Sequence, residues 1–284
     1  MATPVWFITG ASSGFGFEIA KFALASGHKV IAAARSAPKL EPLKALGADI
    51  IILDVTAPDA DIRAAVDRAA SLYGRLTHVV NSAGYILEGF TEEQTADEVR
   101  ALYDTNVLGT HKVCRAAIPH LRAQGAGTIV NFGSLGSWEG GAAWAHYCAT
   151  KAAVSIFSEG LAEELSPFGI GVVVVEPGYF RTSFLNPGAR LAPANTVDAY
   201  RTGPWEGRTA ILDTVNENQP GDPVAGSRVV FEVVTGGAAA GGRKLPVRLV
   251  IGSDCVAVVR KKCEDTLALV NEWETVSVST DLAK

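Results

Sequence analysis

Val5-Trp6-Phe7-Ile8-Thr9-Gly10-Ala11-Ser12-Ser13-Gly14-Phe15-Gly16 runs from an apolar segment straight into glycines spaced GxxxGxG. An apolar run of that length before a glycine turn and a helical pattern predicts a strand, a tight turn and a helix. Each glycine has a physical use there: a sharp turn, close approach of backbone to a phosphate, and tight helix–strand packing. The helix after the turn would present free N–H groups and its positive dipole end to an anion. Ser12, Ser13 and Phe15 lie in the same loop and are candidate contacts.

Working outward, short apolar runs alternate with helical patterns, which predicts an α/β fold with a doubly wound parallel sheet of about seven strands covered on both faces. Strands are expected at Val5–Thr9, Lys29–Ala34, Ile50–Asp54, His78–Asn81, Gly127–Phe132, Ile170–Glu176 and Arg248–Ile251. Helices are expected at Gly14–Ser26, Ala60–Tyr73, Ala96–Ala123, Trp144–Ser166 and Asp254–Trp273, the last capped by Ser253. In that last helix Val256, Val259, Cys263, Leu267 and Val270 form one apolar stripe. No linker divides the chain, so residues 1–284 are expected to be a single domain with its C-terminal helix at 253–273. Residues 183–223 mix Pro, Gly, Asn and Asp with Phe184, Leu185, Tyr200 and Trp205, the composition of a functional flap. The glycine run 236–242 precedes a strand rather than a helix, the wrong order for a phosphate loop, and is expected to be a surface turn.

With 284 residues, 48% hydrophobic and 19% charged, the chain can bury a large core. A net charge of −5 argues against nucleic acid as a partner. The basic run Arg260-Lys261-Lys262 gives way at once to Glu264 and Asp265 and reads as a solvated helix face. The apolar run Ile170–Val175 is far below the roughly 20 residues that span a bilayer, and Met1 to Pro4 run straight into the expected first strand, so no export signal is expected. Cys114, Cys148, Cys255 and Cys263 show neither CxxC pairing nor metal-ligand spacing. Free thiols in a cytoplasmic protein without a metal site are expected.

Past the glycines, the end of the second strand is where a carboxylate usually binds the adenosine ribose of NAD. Ala34, Arg35 and Ser36 stand there instead, a setting suited to the 2′-phosphate of NADP(H). Asp54 is placed to accept from an adenine amino group. Further on, Tyr147 and Lys151, spaced YxxxK, share one helix face. A neighbouring ammonium favours a phenolate and suits the tyrosine to proton transfer. Ser134, at the expected end of the fifth strand, can donate to an oxygen on which charge develops.

These motifs, in this order from Val5 to Thr182, resemble the short-chain dehydrogenase/reductase family in its standard, non-extended branch. Thr9–Gly16 resembles the family's TGxxxGxG, Asp54-Val55 its adenine-contacting pair, and Asn81-Ser82-Ala83-Gly84 its NNAG with Ser82 as a departure. Pro177-Gly178-Tyr179-Phe180-Arg181-Thr182 looks like PGxxxT, whose threonine would fix the nicotinamide amide. The resemblance implies a Rossmann-type fold, a tetrad of Asn106, Ser134, Tyr147 and Lys151, and a water-held proton relay from Asn106 through Lys151. Likeness to 17β-hydroxysteroid-dehydrogenase-like and microbial carbonyl reductases implies an NADP(H)-dependent ketone or aldehyde reductase with an aromatic pocket. Trp138, Trp144, Tyr179, Phe184 and Trp205 would line that pocket, with residues 183–223 as its flap. A homodimer or homotetramer is implied, through the long helices at Ala96–Ala123 and Trp144–Ser166. The alternatives are an NAD-dependent secondary-alcohol dehydrogenase and a cofactor-sensing protein without turnover.

Overall fold

A computed structural model describes residues 2–282; Met1, Ala283 and Lys284 of the expected domain lie outside the described residues. The strands of the main sheet are β1 (Val5–Thr9), β2 (Lys29–Ala34), β3 (Asp49–Ile52), β4 (His78–Asn81), β6 (Gly127–Phe132), β7 (Ile170–Pro177) and β9 (Arg248–Ile251). All 7 run parallel, in the order β3-β2-β1-β4-β6-β7-β9. A small parallel pair, β5 (Ile86–Leu87) with β8 (Arg190–Leu191), stands apart.

Alternation along β1 divides the core in two. Val5 and Phe7 face α3 (Asp59–Tyr73), α5 (Thr110–Gln124) and α6 (Ala145–Leu165), packing with Val66, Leu121 and Leu161. Trp6 and Ile8 face α1 (Gly14–Ala25), α2 (Glu41–Ala45) and α8 (Pro223–Thr235), packing with Ile19, Leu43 and Val230. Between β8 and α8 the chain forms short 3₁₀ turns and one brief helix, α7 (Ile211–Val215). The order of the strands reverses between β1 and β4, and such a switch point opens a crevice at the carboxyl ends of the strands.

Several boundaries differ from the sequence pattern for local reasons. β3 ends at Ile52 because Asp54 turns back to accept from Thr56 N (2.9 Å) and its hydroxyl (2.8 Å). The helix expected over Ala96–Ala123 is interrupted: α4 (Ala96–Tyr103) and α5 are joined by a π-helical turn at Asp104–Gly109. α8 had no place in the expected helices, although Asp222 accepts from Val224 N and Pro223 occupies its first turn. The glycine run 236–242 is a turn, held by Glu232 through Gly237 N and Ala239 N.

The C-terminal helix α9 runs over Ser253–Val278, beyond the expected Trp273. Gly252, not Ser253, occupies its N-cap position, and no side chain caps the helix. The left-handed φ of 97° at Gly252 explains why: serine adopts it only with strain. The expected stripe stays uncovered, with Val256, Leu267 and Val270 exposed. Among the described residues no helix is long and apolar enough to cross a membrane.

Candidate active site

A cleft of about 1030 Å³ lies along the carboxyl ends of the strands. Its first part is built by the turn between β1 and α1. Gly10 has φ +66°, and a Cβ there would stand 2.6 Å from Ala83 N. At Gly16 a Cβ would come within 2.3 Å of Ser82 Oγ, so both positions admit only glycine without a shift of their neighbours. Ser82 itself donates to Thr9 O at 2.7 Å, tying β4 to β1, so the departure from NNAG keeps its bracing role. Helix α1 starts at Gly14 with no side-chain cap and no acid in its first turn. Its leading N–H groups therefore point into the cleft without a partner side chain, an arrangement suited to a pyrophosphate. Ser12, Ser13, Gly14 and Phe15 line this part, with Ala83 and Gly84 opposite.

At the far end the lining passes Ala34, Arg35, Leu53, Asp54 and Val55. Lys39, from the short turn Pro38–Leu40, joins Arg35 there, although no motif marks it in the sequence. Two expected contacts are displaced. Ser36 does not line the cleft. Asn81 lies inside the sheet, 3% exposed, donating to Asn131 Oδ1 (2.9 Å) and Cys114 Sγ (3.3 Å); it braces neighbouring strands instead.

The middle of the cleft gathers the chemistry. Ser134, just past β6, begins a 3₁₀ turn over Leu135–Ser137 and accepts from Gly136 N at 3.1 Å. Tyr147 and Lys151 project from the first turns of α6 beside it. Lys151 is 6% exposed and donates to Phe132 O at 3.0 Å. Lacking a carboxylate partner, its ammonium is lowered by burial from its ordinary value to about 8. Burial pushes the Tyr147 phenol upward, while hydrogen bonding with Ser134 works the other way. In the protein alone, burial therefore outweighs the lowering expected from Lys151. That ammonium lies 5.9 Å from the tyrosine ring centre and is already bound to a carbonyl.

Asn106 sits behind the cleft in the π turn, 1% exposed. Its amide clamps Tyr85 through N–H (3.0 Å) and C=O (2.9 Å) and reaches Thr150 Oγ1 at 3.1 Å. Its main-chain carbonyl accepts from Thr110 at 3.1 Å. Pro177, Gly178, Phe180 and Thr182 close the floor, with Thr182 3.6 Å from a Cβ built on Gly14. Asp254 at the start of α9, which no motif singles out, accepts from Tyr179 N at 2.6 Å and holds that turn.

Trp144, Tyr179 and Phe184 line the outer part, joined by Ile86, Leu185 and Leu212 in one apolar cluster that includes Tyr147. The other two aromatics expected there are elsewhere. Trp138 turns away, donating to Glu176 Oε2 at 2.8 Å under the Arg248 guanidinium. Trp205 is 40% exposed and stands edge-on to Phe90 at 5.5 Å, on the outside of the flap. Two buried carboxylates anchor residues 183–223 to the body. Glu88 pairs with Arg190 and accepts from Trp144 Nε1 (3.2 Å). Glu93 pairs with Arg201 and accepts from Val197 N (3.0 Å). Neither contact was legible in sequence, because each joins residues about a hundred positions apart.

Comparison with known proteins points the same way as the geometry. Residues 4–190 match the family model for short chain dehydrogenase. Oxidoreductase BOA17 of Botryotinia fuckeliana is 31% identical, covering 98% of this chain and 99% of its own length. A short-chain dehydrogenase from Streptomyces avermitilis superposes with a TM-score of 0.87 at 36% identity, over 99% of this chain and 100% of that one. A short chain dehydrogenase/reductase from Burkholderia phymatum, solved in complex with NAD, gives 0.79 at 25% identity, over 94% and 95%.

Proposed function

The chain belongs to the short-chain dehydrogenase family of oxidoreductases, and from that premise we propose that it is an NADP(H)-dependent reductase of bulky ketones or aldehydes, reversible on the corresponding alcohols. The observation that carries this reading is the meeting of Ser134, Tyr147 and Lys151 in one cleft with an uncapped helix N-terminus. The family binds nicotinamide dinucleotides. The glycines that exclude a Cβ and the anion-ready end of α1 fit such a ligand.

Residues Gly14 to Gly16 would hold the pyrophosphate, Asp54 the adenine, and Thr182 the nicotinamide amide. When bound, the nicotinamide supplies or accepts the hydride. Tyr147 Oη gives the substrate oxygen its proton in reduction and removes it in oxidation. Ser134 Oγ donates to the same oxygen, where negative charge grows. Lys151 would keep positive charge beside the phenol and hold the ribose hydroxyls of the cofactor. Asn106 supports the Lys151 side of the site by fixing Tyr85 and the π turn. Trp144, Tyr179, Phe184 and Leu212 present an apolar wall to the substrate.

The preference for NADP(H) rests on two cations, Arg35 and Lys39, on the cleft lining where β2 ends. A charge-assisted hydrogen bond to a phosphate is worth about 1.5–3 kcal/mol, roughly tenfold to more than a hundredfold in affinity. Arg35→Ala should weaken NADPH by that order and leave NADH nearly unchanged. Ala34→Asp should further favour NADH by accepting from the ribose and repelling the 2′-phosphate. Dissociation constants for both cofactors test this; a wild-type protein that binds NADH more tightly overturns it.

We further propose that residues 183–223 form a flap that shuts over the substrate and excludes water from the reacting atoms. Phe184→Ala should raise the KM of an aromatic ketone severalfold, with the KM of NADPH unchanged. Hydrogen exchange over the flap should slow only when a substrate analogue joins the cofactor. Equal protection in the free protein would make the segment fixed core.

A further inference from the structure

Helix α9 is 26 residues long, yet only Cys255 in it is buried. From Arg260 to the last described residue every position is exposed. A helix draws most of its stability from packing an apolar face, and this one has a face with nothing on it. Val256, Cys263 and Val270 recur every seventh residue, and Val259, Thr266 and Trp273 do so three positions later. Leu269 and Val276 flank that seam. Val270, Trp273, Leu269 and Val276 are each more than half exposed, at 57%, 53%, 57% and 58%. A spacing of three and four with apolar residues at both positions is that of a coiled-coil seam.

We propose that α9 is an assembly helix that pairs, antiparallel, with α9 of a second copy of this chain. Charge decides both the occupant and the direction. The helix carries Arg260-Lys261-Lys262 and, after them, Glu264, Asp265, Glu272 and Glu274; Lys261 is taken by Asp265 of the same helix, while Arg260 and Glu274 flank the seam. Side by side in the same direction, Arg260 would face Cys255 and Glu274 would face Leu269, so no ion pair would cross the seam. Reversed, with Val270 opposite Thr266 of the second copy and Trp273 opposite its Cys263, Arg260 meets Glu274. The two-fold axis makes that ion pair twice. In the same register Leu269 lies close to the axis, and Lys262 lays its methylene stem beside Val276. The helix dipoles oppose as well. Such a contact is isologous and closes on itself, so it yields a finite particle rather than a fibre. The cleft lies at the other end of α9, through Asp254 and Val258, so pairing leaves it accessible.

Light scattering on the full chain tests the pairing. Val270→Asp with Trp273→Asp should lower the particle mass by separating the copies that α9 joins. These side chains are exposed in the single chain, so circular dichroism of the folded body should be retained. An unchanged mass with the helix still folded overturns the proposal. Arg260→Glu alone should weaken association on the order of tenfold or more, by setting like charges against each other. Arg260→Glu with Glu274→Arg should restore it. Failure of that rescue overturns the antiparallel register. A mild oxidant separates the two directions: antiparallel helices hold the Cys263 thiols far apart, whereas parallel ones bring them face to face. A covalent dimer through Cys263 would therefore also overturn the proposal.

Discussion

Replacing Tyr147 by Phe should lower kcat by about 10²–10⁴-fold, the usual worth of a positioned general acid. The ring makes most of its contacts through its edges and faces, against Phe184 at 6.1 Å between centroids and within the cluster of Leu185 and Leu212. Phenylalanine keeps those, so the cleft should hold its shape and NADPH its affinity. The expected result is therefore split: turnover nearly gone, cofactor Kd within a few-fold of wild type. Stopped-flow consumption of NADPH and a fluorescence titration would measure the two separately. A variant that retains most of its kcat would remove Tyr147 from the chemistry. Loss of cofactor binding alone would show it to be a cofactor contact instead.

The second large effect concerns a polar group far inside the fold. Glu176, fully buried near the end of β7, pairs with Arg248 at 3.0 Å and accepts from Ser155 at 2.7 Å and Trp138 at 2.8 Å. Breaking a buried pair by removing one partner typically costs about 3–5 kcal/mol, since the other charge is left uncompensated. Arg248→Ala should destabilise the protein by that order in urea unfolding at pH 8. Burial already raises the Glu176 carboxyl above its ordinary value, with the hydrogen bonds from Ser155 and Trp138, and then the Arg248 charge, pulling it back. For a carboxyl raised in the folded state, stability is highest below its unfolded value and is lost as pH climbs through the folded one. Without Arg248 that rise becomes larger. The penalty of the substitution should therefore shrink markedly at acid pH, where Glu176 takes up a proton. An equal loss at both pH values, or one below about 1 kcal/mol, would mean that Ser155 and Trp138 suffice.

The pair matters to the cleft as well as to the fold. The Ser155 hydroxyl, its proton given to Glu176, lies 2.9 Å from that of Ser137, which accepts from Ser134 N and shares its own proton between Ser155 Oγ and Lys151 O. The backbone of two of the residues assigned to proton transfer is thus fixed by a polar chain that ends on Glu176.

How much of this could be read from sequence depends on the range over which each signal acts. Glycines at 10, 14 and 16 and the Tyr147/Lys151 spacing are local: turn geometry and one helical turn place them whatever surrounds them. The strands were legible as apolar runs too short to be helices. Trp138 and Asn81 are drawn from the places expected of them by partners far along the chain. Trp138 is aromatic and near Ser134, which suggests the pocket; its indole N–H instead finds Glu176, a preference that composition does not reveal. Asn81 belongs to a motif that borders the cleft, yet its amide is taken up by Asn131 on the next strand. Lys39 and Asp254 reach the cleft through a 3₁₀ turn and a helix start whose directions depend on packing. The stripe on α9 is plain in the sequence, but no sequence rule says that the face it marks is turned away from its own domain.

The π turn at Asp104–Gly109 carries a last consequence, for the tolerance of the chain to change in length. One residue more than an α-helical turn needs is accommodated there, and each residue of an α-helix advances the chain by about 100° around the axis. The insertion thereby sets the angular phase of the whole of α5, which seats Val113, Cys114, Ala117 and Leu121 in the core. Deleting a residue from this turn would let α4 and α5 fuse into one regular helix with better hydrogen bonds. It would also roll that set of side chains out of the core and bring Arg115 toward it. Local regularity and global packing therefore make opposite demands at Asn106, and the irregular turn is the form in which both the core and the asparagine keep their places.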